Sequence, residues 1–474
     1  MMWRLAAALI APVAAGLLIT LLLLADDADK PARPAALATH LSLSAGLGFG
    51  FTSLFFFLVL LLYGQTSGWL ILFEIVALLA VLLVGKSRIA DGLRLRRLTG
   101  GGDGPARPYA FVAPAFYVLL GVALLNFTLR TINQPYGNWD AWWMWNLRAR
   151  FLFEGGPFWE RAFSDPLQWS NPDYPLLLPT NVARIWTYLG EEALVGSALI
   201  AFTFSFATLA LLVSAVRLLR GRTQAYAGGL ILLATAYFVE HGAAQYADMP
   251  LSFFILATIV LLNLQDEASG SKAGLLSLAG LAAGFAAFTK NEGLLFLVCV
   301  VLARSLVMMA RKSRRAAFRS EIRPFLLALL PVLLVLLFFK LQYTSSNWLM
   351  GGQTVQQTTA LLTDLSRPAD IGATFFQLMR HQDGLVLFLI PIYAALLGLQ
   401  GARFKRDGVA TALLTLFLVL TGYFVVFLLT PFDLQWHLDH ALNRLLFQLW
   451  PTVIFVTMLI VNPPAHGARE PLPV

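Results

Sequence analysis

Apolar residues occur in blocks of about twenty along most of the chain, with short polar segments between them. A helix of about 20 residues crosses the roughly 30 Å of hydrocarbon in a bilayer. The blocks lack the alternating ten-residue pattern of a transmembrane barrel. We therefore predict an all-α polytopic transmembrane bundle of about 13 spans. The predicted spans are 3–24, 41–63, 68–85, 108–129, 193–216, 223–240, 250–265, 273–289, 293–310, 325–343, 385–400, 409–429 and 444–462.

Basic residues concentrate in short segments between the predicted spans. Such a bias is typical of cytoplasmic loops, and the net charge of +8 therefore indicates loop orientation and not a nucleic-acid partner. This orientation puts the tail 463–474 in the cytoplasm and the segments 130–192 and 344–384 on the opposite side. The basic segments are 86–97, 217–222, 311–323 and 403–406.

The composition also argues against a soluble globular protein. Charged residues make up 13% of the chain, about half the share in a soluble globular protein. The single cysteine, Cys299, lies in an apolar block, where it fits the role of a small hydrophobic residue. The first span has no good small-residue cleavage site before Asp26 and Asp27, so we expect it to be retained.

The two long outward segments differ in character. Segment 130–192 is rich in aromatic residues, and its stretch 141–154 predicts an interfacial helix with Trp142, Trp143 and Trp145 in the lipid headgroups. Segment 344–384 is more polar and fits a lid or a partly ordered loop. No separate soluble domain is predicted.

Charged residues lie mainly at the outer ends of the spans, and few lie inside them. A transporter usually holds ionisable residues near the middle of the membrane. The distribution therefore favours chemistry or recognition at the outer membrane–water boundary. A polytopic transporter or flippase of a lipid-linked saccharide remains the alternative, with a non-catalytic envelope scaffold as a third interpretation.

Two aspartates are the sharpest candidates for chemistry. Asp140 follows a span and precedes the predicted interfacial helix, where it fits either a helix cap or a general base. Asp248 precedes Pro250, which suits a helix start, so the same two interpretations apply to it. Two such aspartates on one side of the membrane favour a site.

Cations and histidines at the same boundary also allow two interpretations each. Lys290 begins a tight turn that fits either a solvated hairpin or a functional cation. Arg444, placed at the start of the last span, either reaches for the headgroups or binds a lipid phosphate. His437 and His440 are three residues apart and fit a shared metal, although no third ligand is obvious.

Five short stretches, in this order, resemble motifs of the GT-C membrane glycosyltransferases. The nearest family includes the protein O-mannosyltransferases and the bacterial aminoarabinose transferase, and is similar to glycosyltransferase family 39. The resemblance covers about residues 108–462. The stretches are Asn138-Trp139-Asp140-Ala141-Trp142-Trp143-Met144-Trp145, Asn171-Pro172-Asp173-Tyr174-Pro175-Leu176-Leu177-Leu178-Pro179, Tyr246-Ala247-Asp248-Met249-Pro250, Thr289-Lys290-Asn291-Glu292-Gly293 and the stretch from Trp436-His437-Leu438 to Arg444.

The chain departs from the family pattern in two places. The acidic loop of the family usually follows the first span, whereas here it follows the fourth. We therefore expect residues 1–107 to form a three-helix addition before a catalytic core at 108–462. The loop has one aspartate where many members have an acidic pair, so no metal site is predicted and no cofactor is assigned with certainty. A divalent metal remains open.

The resemblance implies inverting transfer of a sugar from a polyprenyl-phosphate donor to an extracytoplasmic lipid, glycan or protein acceptor. The implied location is a bacterial inner membrane, with membrane lipid as a partner and no nucleic acid. Asp140 is the expected general base and Asp248 the second catalytic carboxylate. The expected donor-phosphate or carrier residues are Lys290, Arg444, Arg148 and Arg150. The expected pocket residues are Trp139, Trp142, Asp173, Tyr174, Glu292, His437 and His440.

Overall fold

The computed structural model describes residues 2–24, 34–66, 68–95, 111–267, 272–344, 354–381 and 384–463. The first helices are α1 (Met2–Leu23), α2 (Pro34–Tyr63), α3 (Trp69–Leu95) and α4 (Val112–Asn133). The outward segment then forms a π-helical turn (Ala141–Asn146), α5 (Leu147–Glu154), two 3₁₀ segments (Gly156–Phe163 and Asp165–Ser170) and α6 (Leu177–Leu189).

The rest of the described chain is also helical. Its middle part contains α7 (Leu194–Arg220), α8 (Arg222–Ala234), α9 (Ala236–Ala243), α10 (Asp248–Glu267), α11 (Ala273–Ala287) and α12 (Asn291–Ala310). A 3₁₀ turn (Lys312–Ala317) leads to α13 (Phe318–Tyr343), α14 (Val355–Thr363), α15 (Ser366–His381) and α16 (Gly384–Leu397). A second 3₁₀ turn (Gly401–Lys405) precedes α17 (Asp407–Leu429) and α18 (Leu434–Ile460).

The predicted all-α transmembrane architecture is confirmed. Within the described residues, ten helices are long and apolar enough to cross a membrane. The remaining predicted spans correspond to shorter helices: α8 with α9, α11, and α16. The helix predicted at 223–240 is broken at Thr235, whose hydroxyl accepts a hydrogen bond from the Trp450 indole (2.9 Å).

The last helix begins earlier than predicted. We expected a span from 444, but α18 begins at Leu434 because the carboxylate of Asp433 caps it and accepts the Trp436 amide hydrogen (2.8 Å). Arg444 therefore lies inside α18 and not at its start. Its guanidinium is therefore held by a formed helix, and the direction of that helix decides which side chains it can contact.

Helix α10 occupies the centre of the bundle. It packs against α7, α11, α17 and α18, and nearly all its side chains are buried. An apolar helix of 20 residues spans about 30 Å, so its two ends lie at opposite membrane surfaces. Asp248 marks the end that the sequence predicts to face outward, and Glu267 marks the end predicted to face the cytoplasm; these are called the outward and inward ends.

The three amino-terminal helices pack directly on the rest of the bundle. Helix α2 lies against α6 and α7, where Thr39 donates to Ser214 (2.9 Å). A second contact joins the hydroxyls of Ser53 and Thr180 at 2.6 Å. The division at residue 107 stays a prediction, but α1–α3 share an interface with the later helices.

The outward segments agree in part with the sequence predictions. The stretch 141–154 is helical, but Trp145 is fully buried against Tyr174 (ring centroids 5.8 Å), so its predicted contact with headgroups is wrong. In the segment predicted as a lid, α15 is tied to the end of α17 because Arg367 donates to the carbonyls of Phe427, Leu428 and Thr430. Gly351, Gly352 and Gln353 lie outside the described residues.

Candidate active site

Asp248 is the centre of a buried polar cluster at the outward end of α10. Its side chain is fully buried, and it accepts hydrogen bonds from Lys290 Nζ (3.0 Å) and from an Arg444 guanidinium nitrogen (2.7 Å). The Gln448 amide also donates to it (2.5 Å), and His241 Nε2 lies 3.5 Å away. Side chains from α9, the start of α12 and α18 therefore converge on one carboxylate.

Arg444 joins this buried carboxylate to a second one. Its other terminal guanidinium nitrogen lies 2.7 Å from Asp140 Oδ2, so one side chain bridges Asp140 and Asp248. The guanidinium also stacks over the Tyr246 ring at 4.7 Å. The Asp140 side chain is 18% exposed and that of Asp248 0%, so Asp140 is the carboxylate that an incoming molecule can reach.

The helix-cap interpretation of Asp140 is wrong. Asp140 does precede a helical turn, but its side chain caps no amide, because the carboxylate is turned to Arg444. Its backbone amide donates instead to the hydroxyl of Tyr246 (3.4 Å). The pKa of that Tyr246 hydroxyl is raised to about 12, chiefly by burial, so the tyrosine is neutral at physiological pH.

Two loops meet to bring these carboxylates together. Gly137 has φ +71°, and Gln245 has φ +63°, an uncommon value for a residue with a side chain. The amide of Asn138 donates to the Ala244 carbonyl (3.1 Å), and the Gln245 side chain donates to the Pro135 carbonyl (3.1 Å). The backbone of 135–138 is thereby held against that of 244–245, which fixes Asp140 beside the start of α10.

Lys290 is a buried cation and not part of a solvated hairpin. Besides Asp248 it pairs with Glu292 (2.8 Å), and its ammonium lies over the Tyr174 ring at 5.5 Å. Burial alone would lower the pKa of Lys290, but the carboxylates of Asp248 and Glu292 outweigh it and raise that pKa. Lys290 therefore stays protonated and neutralises much of the buried negative charge.

A third aspartate, Asp173, is held next to this turn. The Asn291 amide donates to the Asp173 carboxylate (2.7 Å), and Lys340 donates to the Asn291 carbonyl oxygen (2.7 Å). Lys340 also donates to the backbone carbonyl of Asp173. Sequence reasoning did not select Lys340 or Gln448, because a lysine at the end of an apolar helix and a glutamine inside one have many structural roles.

Two of the predicted donor cations have other partners. Arg148 is buried and donates to the carbonyls of Ser170, Asn171 and Tyr174 (2.8–3.2 Å), so it holds the loop before α6. Burial lowers its pKa to about 10, which still leaves it charged. Arg150 forms a two-point pair with Glu192 (2.5 and 2.6 Å). Neither arginine contacts Asp140 or Asp248, and a donor-phosphate role for them stays a prediction.

The nitrogens of the two histidines of α18 contact other groups of the protein, and no further metal ligands are grouped with them among the described residues. His437 Nδ1 lies 2.9 Å from the Thr430 hydroxyl, and His440 Nδ1 lies 2.7 Å from the Trp436 carbonyl. Across the described ranges, no group of three or more His, Cys, Asp or Glu side chains is placed to hold a metal. Between the two aspartates, the position that a divalent cation would need is filled by the Arg444 guanidinium.

The predicted pocket residues Trp139 and Trp142 lie next to Asp140 and are partly exposed. Their indoles are 56% and 41% exposed. Trp142 lines a cleft of about 820 Å³, whose lining also includes Tyr136 and the pair of Arg150 and Glu192. Because Trp142 lies in the helical turn that follows Asp140, this turn connects the cleft to the cluster around Asp248.

One comparison with known proteins is informative. Residues 173–339, roughly a third of the chain, match the family model described as dolichyl-phosphate-mannose-protein mannosyltransferase. The match confirms the predicted resemblance to the GT-C membrane glycosyltransferases and supports a glycosyltransferase of the mannosyltransferase type. It includes Asp173, Asp248 and Lys290 but ends before Arg444. No curated protein and no solved structure matches the chain.

Proposed function

We propose that this glycosyltransferase moves a sugar from a polyprenyl-phosphate carrier to an extracytoplasmic acceptor, with inversion and with Asp140 as the general base. The family match supports a donor of this class. The observation that carries the proposal is the single arginine that bridges an accessible carboxylate and a buried one. Through this bridge Asp140, the proposed base, contacts Arg444, the proposed ligand of the donor phosphate.

The proposed reaction breaks one bond and forms one. The acceptor hydroxyl oxygen attacks the anomeric carbon, and the bond from that carbon to the phosphate oxygen breaks. The phosphate leaves with the electron pair as polyprenyl phosphate, and the acceptor proton passes to the Asp140 carboxylate. Attack opposite the leaving group inverts the anomeric centre, so a single accessible carboxylate is sufficient.

Asp140 must exchange its partner before it acts as a base, because the Arg444 guanidinium occupies the carboxylate oxygen that would take the proton. A donor phosphate offers Arg444 a second anion with matching two-point geometry. Arg444 keeps its contact with the buried Asp248, which anchors it, while the phosphate replaces Asp140. Donor binding then frees the base and stabilises the leaving group in one step.

Lys290 and Asp248 have supporting roles in this proposal. Both are buried and paired with each other, so neither offers an exposed atom to a phosphate. Asp248 orients Arg444, and Lys290 offsets the charge of Asp248. Glu292 shares Lys290, and Asp173 is linked to the same turn through Asn291. The pocket roles of Trp139, Trp142, Tyr174, His437 and His440 remain part of the proposal.

The direct test is Asp140→Asn in the purified full-length protein. We expect transfer from a synthetic polyprenyl-phosphate sugar to fall at least about 100-fold, the usual loss for a general base. Binding of polyprenyl phosphate should remain, because the amide keeps the shape of the side chain and removes a competitor for Arg444. Transfer is measured by release of polyprenyl phosphate and by the radiolabelled product.

The matched control is Asp165→Asn, an exposed aspartate in the same outward segment. It should transfer at the unaltered rate. Near-normal turnover by Asp140→Asn would show that another group takes the proton. Release of polyprenyl phosphate without a new glycosidic product, in every acceptor mixture, would contradict sugar transfer itself.

A further inference from the structure

Four tryptophans contribute to the wall of a cleft on the side predicted to face outward. It has a volume of about 820 Å³ and includes Trp142, Trp143, Trp169 and Trp186 in its lining. Trp142 and Trp169 are 41% and 45% exposed, whereas Trp186 is buried. We call this space the tryptophan cleft. Tryptophans that only anchor a protein in headgroups would not need to enclose a volume of this size.

Three indoles of the cleft, those of Trp142, Trp143 and Trp169, form one connected set. Trp143 contacts Trp169 with ring centroids 4.2 Å apart, and Trp142 contacts Trp143 at 5.4 Å. Trp139 extends the set towards Asp140, at 4.8 Å from Trp142 and 4.9 Å from Trp143. These contacts fix the rings against one another, so their exposed faces are offered at little entropic cost.

Polar groups line the same cleft. Arg150 and Glu192 hold each other through two contacts of 2.5 and 2.6 Å, so both signs of charge are fixed in one place. The side-chain oxygen of Asn146 accepts from Ser197 (2.8 Å), which leaves its amide nitrogen as a donor. The cleft therefore combines flat apolar faces with donors and acceptors of fixed position.

We propose that the tryptophan cleft binds the acceptor, and that the acceptor is a carbohydrate, either a glycan or the sugar head of a glycolipid. This inference rests on the proposed function, because it assigns the second substrate of that reaction. A sugar ring has one face of C–H groups and a rim of hydroxyls. The indole faces can pack against the C–H groups of the sugar. Arg150, Glu192 and Asn146 can form hydrogen bonds with its hydroxyls.

The observations favour a sugar over the other candidate occupants. The isoprenoid tail of a donor is apolar throughout, so it would cover the polar groups of Arg150, Glu192 and Asn146 without forming a hydrogen bond to any of them. An extended peptide is usually recognised through hydrogen bonds to its backbone from a strand edge, whereas the polar groups described for this cleft belong to side chains. Trp139, which precedes Asp140 in the chain, contacts two tryptophans of the cleft wall, and this links the cleft to the residue that accepts a hydroxyl proton in the proposed reaction.

The test is binding, measured by intrinsic tryptophan fluorescence of the full chain in lipid nanodiscs. The probes are mannotriose, maltotriose and chitotriose, with an acetylated serine tripeptide amide and farnesyl phosphate for comparison. We expect at least one trisaccharide to quench the fluorescence at millimolar concentration. Trp169→Ala and Trp142→Ala should each weaken that binding by roughly threefold or more. Two variants are used so that the result can still be read if one of them fails to fold.

The control is Trp436→Ala, a tryptophan that is 50% exposed and lies on α18 outside the cleft. It should bind the sugar like the unaltered protein. Quenching by none of the three sugars would overturn the inference, as would quenching that both cleft variants retain. A response to the peptide or to farnesyl phosphate that Trp169→Ala alone abolishes would assign the cleft to that ligand instead. Because binding is read without turnover, this result is independent of whether Asp140 is the base.

Discussion

At the scale of the residue, the use of arginine at position 444 follows from geometry. Its two terminal nitrogens contact Asp140 and Asp248 at 2.7 Å each, and its planar face covers the Tyr246 ring. A lysine has one compact charged group and cannot match two carboxylates and a ring in the same way. The bridge thus depends on shape as well as charge.

Arg444→Lys separates shape from charge. We expect transfer to fall roughly 10- to 100-fold, because the ammonium can hold either Asp248 or the donor phosphate but not both with good geometry. Binding of polyprenyl phosphate, measured by competition against the labelled donor, should weaken as well. The matched control is Arg130→Lys, whose exposed partner Glu240 is 3.6 Å away, and which should stay near the unaltered rate. Equal activity of Arg444→Lys and Arg130→Lys would remove Arg444 from the proposed site.

The sequence predicted the individual members of the cluster better than their partners. Asp140, Asp248, Lys290 and Arg444 were selected because they stand at the outer ends of apolar spans. Their pairing could not be predicted, because Arg444 is far from both aspartates in sequence and its direction depends on where α18 begins. Lys340 and Gln448 were missed because only the folded bundle places them beside Asn291 and Asp248.

At the scale of the element, the turn after Asp140 explains one error. The segment Ala141–Asn146 is a π-helix, which has more residues per turn than an α-helix. A pattern assigned with α-helical spacing put Trp142, Trp143 and Trp145 on one face. The wider turn instead directs Trp145 into the core and leaves Trp142 and Trp143 at the cleft. Single-turn π-helices are frequent at functional sites, but apolar spacing does not reveal them.

Close approach of α1 and α2 leads to a prediction about stability. A Cβ atom on Gly48 would lie 1.7 Å from the Pro12 carbonyl oxygen, which is backbone and cannot turn away. Gly48→Ala must therefore separate the two helices, and we expect a cost of about 1–3 kcal/mol. The expected result is a lower midpoint of thermal unfolding in detergent.

The control for this packing argument is Gly121→Ala. Gly121 lies in the long apolar helix α4, and a Cβ there would meet nothing within 4 Å. Its unfolding midpoint should stay the same or rise slightly, because alanine favours a helix over glycine. If both variants behaved alike, the contact between α1 and α2 would not be as close as the structure has it.

At the scale of the whole molecule, the charged residues form two layers at opposite ends of α10. The outward layer contains Asp248 and its partners. The inward layer contains the arginines of the loop after α12, two of which, Arg311 and Arg314, pair with Asp407. Arg304 joins this layer through Glu321 (3.0 Å). Since α10 spans about 30 Å, the layers lie one hydrocarbon thickness apart.

One ion pair lies apart from both layers. Glu74 on α3 receives two hydrogen bonds of 2.8 Å from Arg184 on α6 and a third from the Tyr188 hydroxyl (2.6 Å). Arg184 also donates to the Ala8 carbonyl on α1 (2.7 Å). This pair explains an acidic residue inside a predicted span, and it joins the amino-terminal helices to the segment that carries Asp173. The sequence pattern predicted the spans but not this connection.

The orientation of the two layers can be tested with single cysteines. The natural Cys299 is buried, so a membrane-impermeant maleimide should report on an introduced cysteine. Asp165→Cys lies on the exposed outward segment and should be labelled in intact spheroplasts. Lys312→Cys lies in the exposed basic turn before α13 and should be labelled only after the membrane is permeabilised.

The same pair of variants also decides between the two sides for the proposed chemistry. Both positions are exposed, so a difference in labelling reports sidedness and not burial. Labelling of Lys312→Cys in intact spheroplasts, with Asp165→Cys protected, would place Asp140 and the tryptophan cleft on the cytoplasmic side. The proposed extracytoplasmic acceptor would then be wrong, whatever the role of the carboxylates. The opposite pattern would place the bridge of Arg444 at the outer headgroup level, where a lipid-linked sugar can reach it from the bilayer.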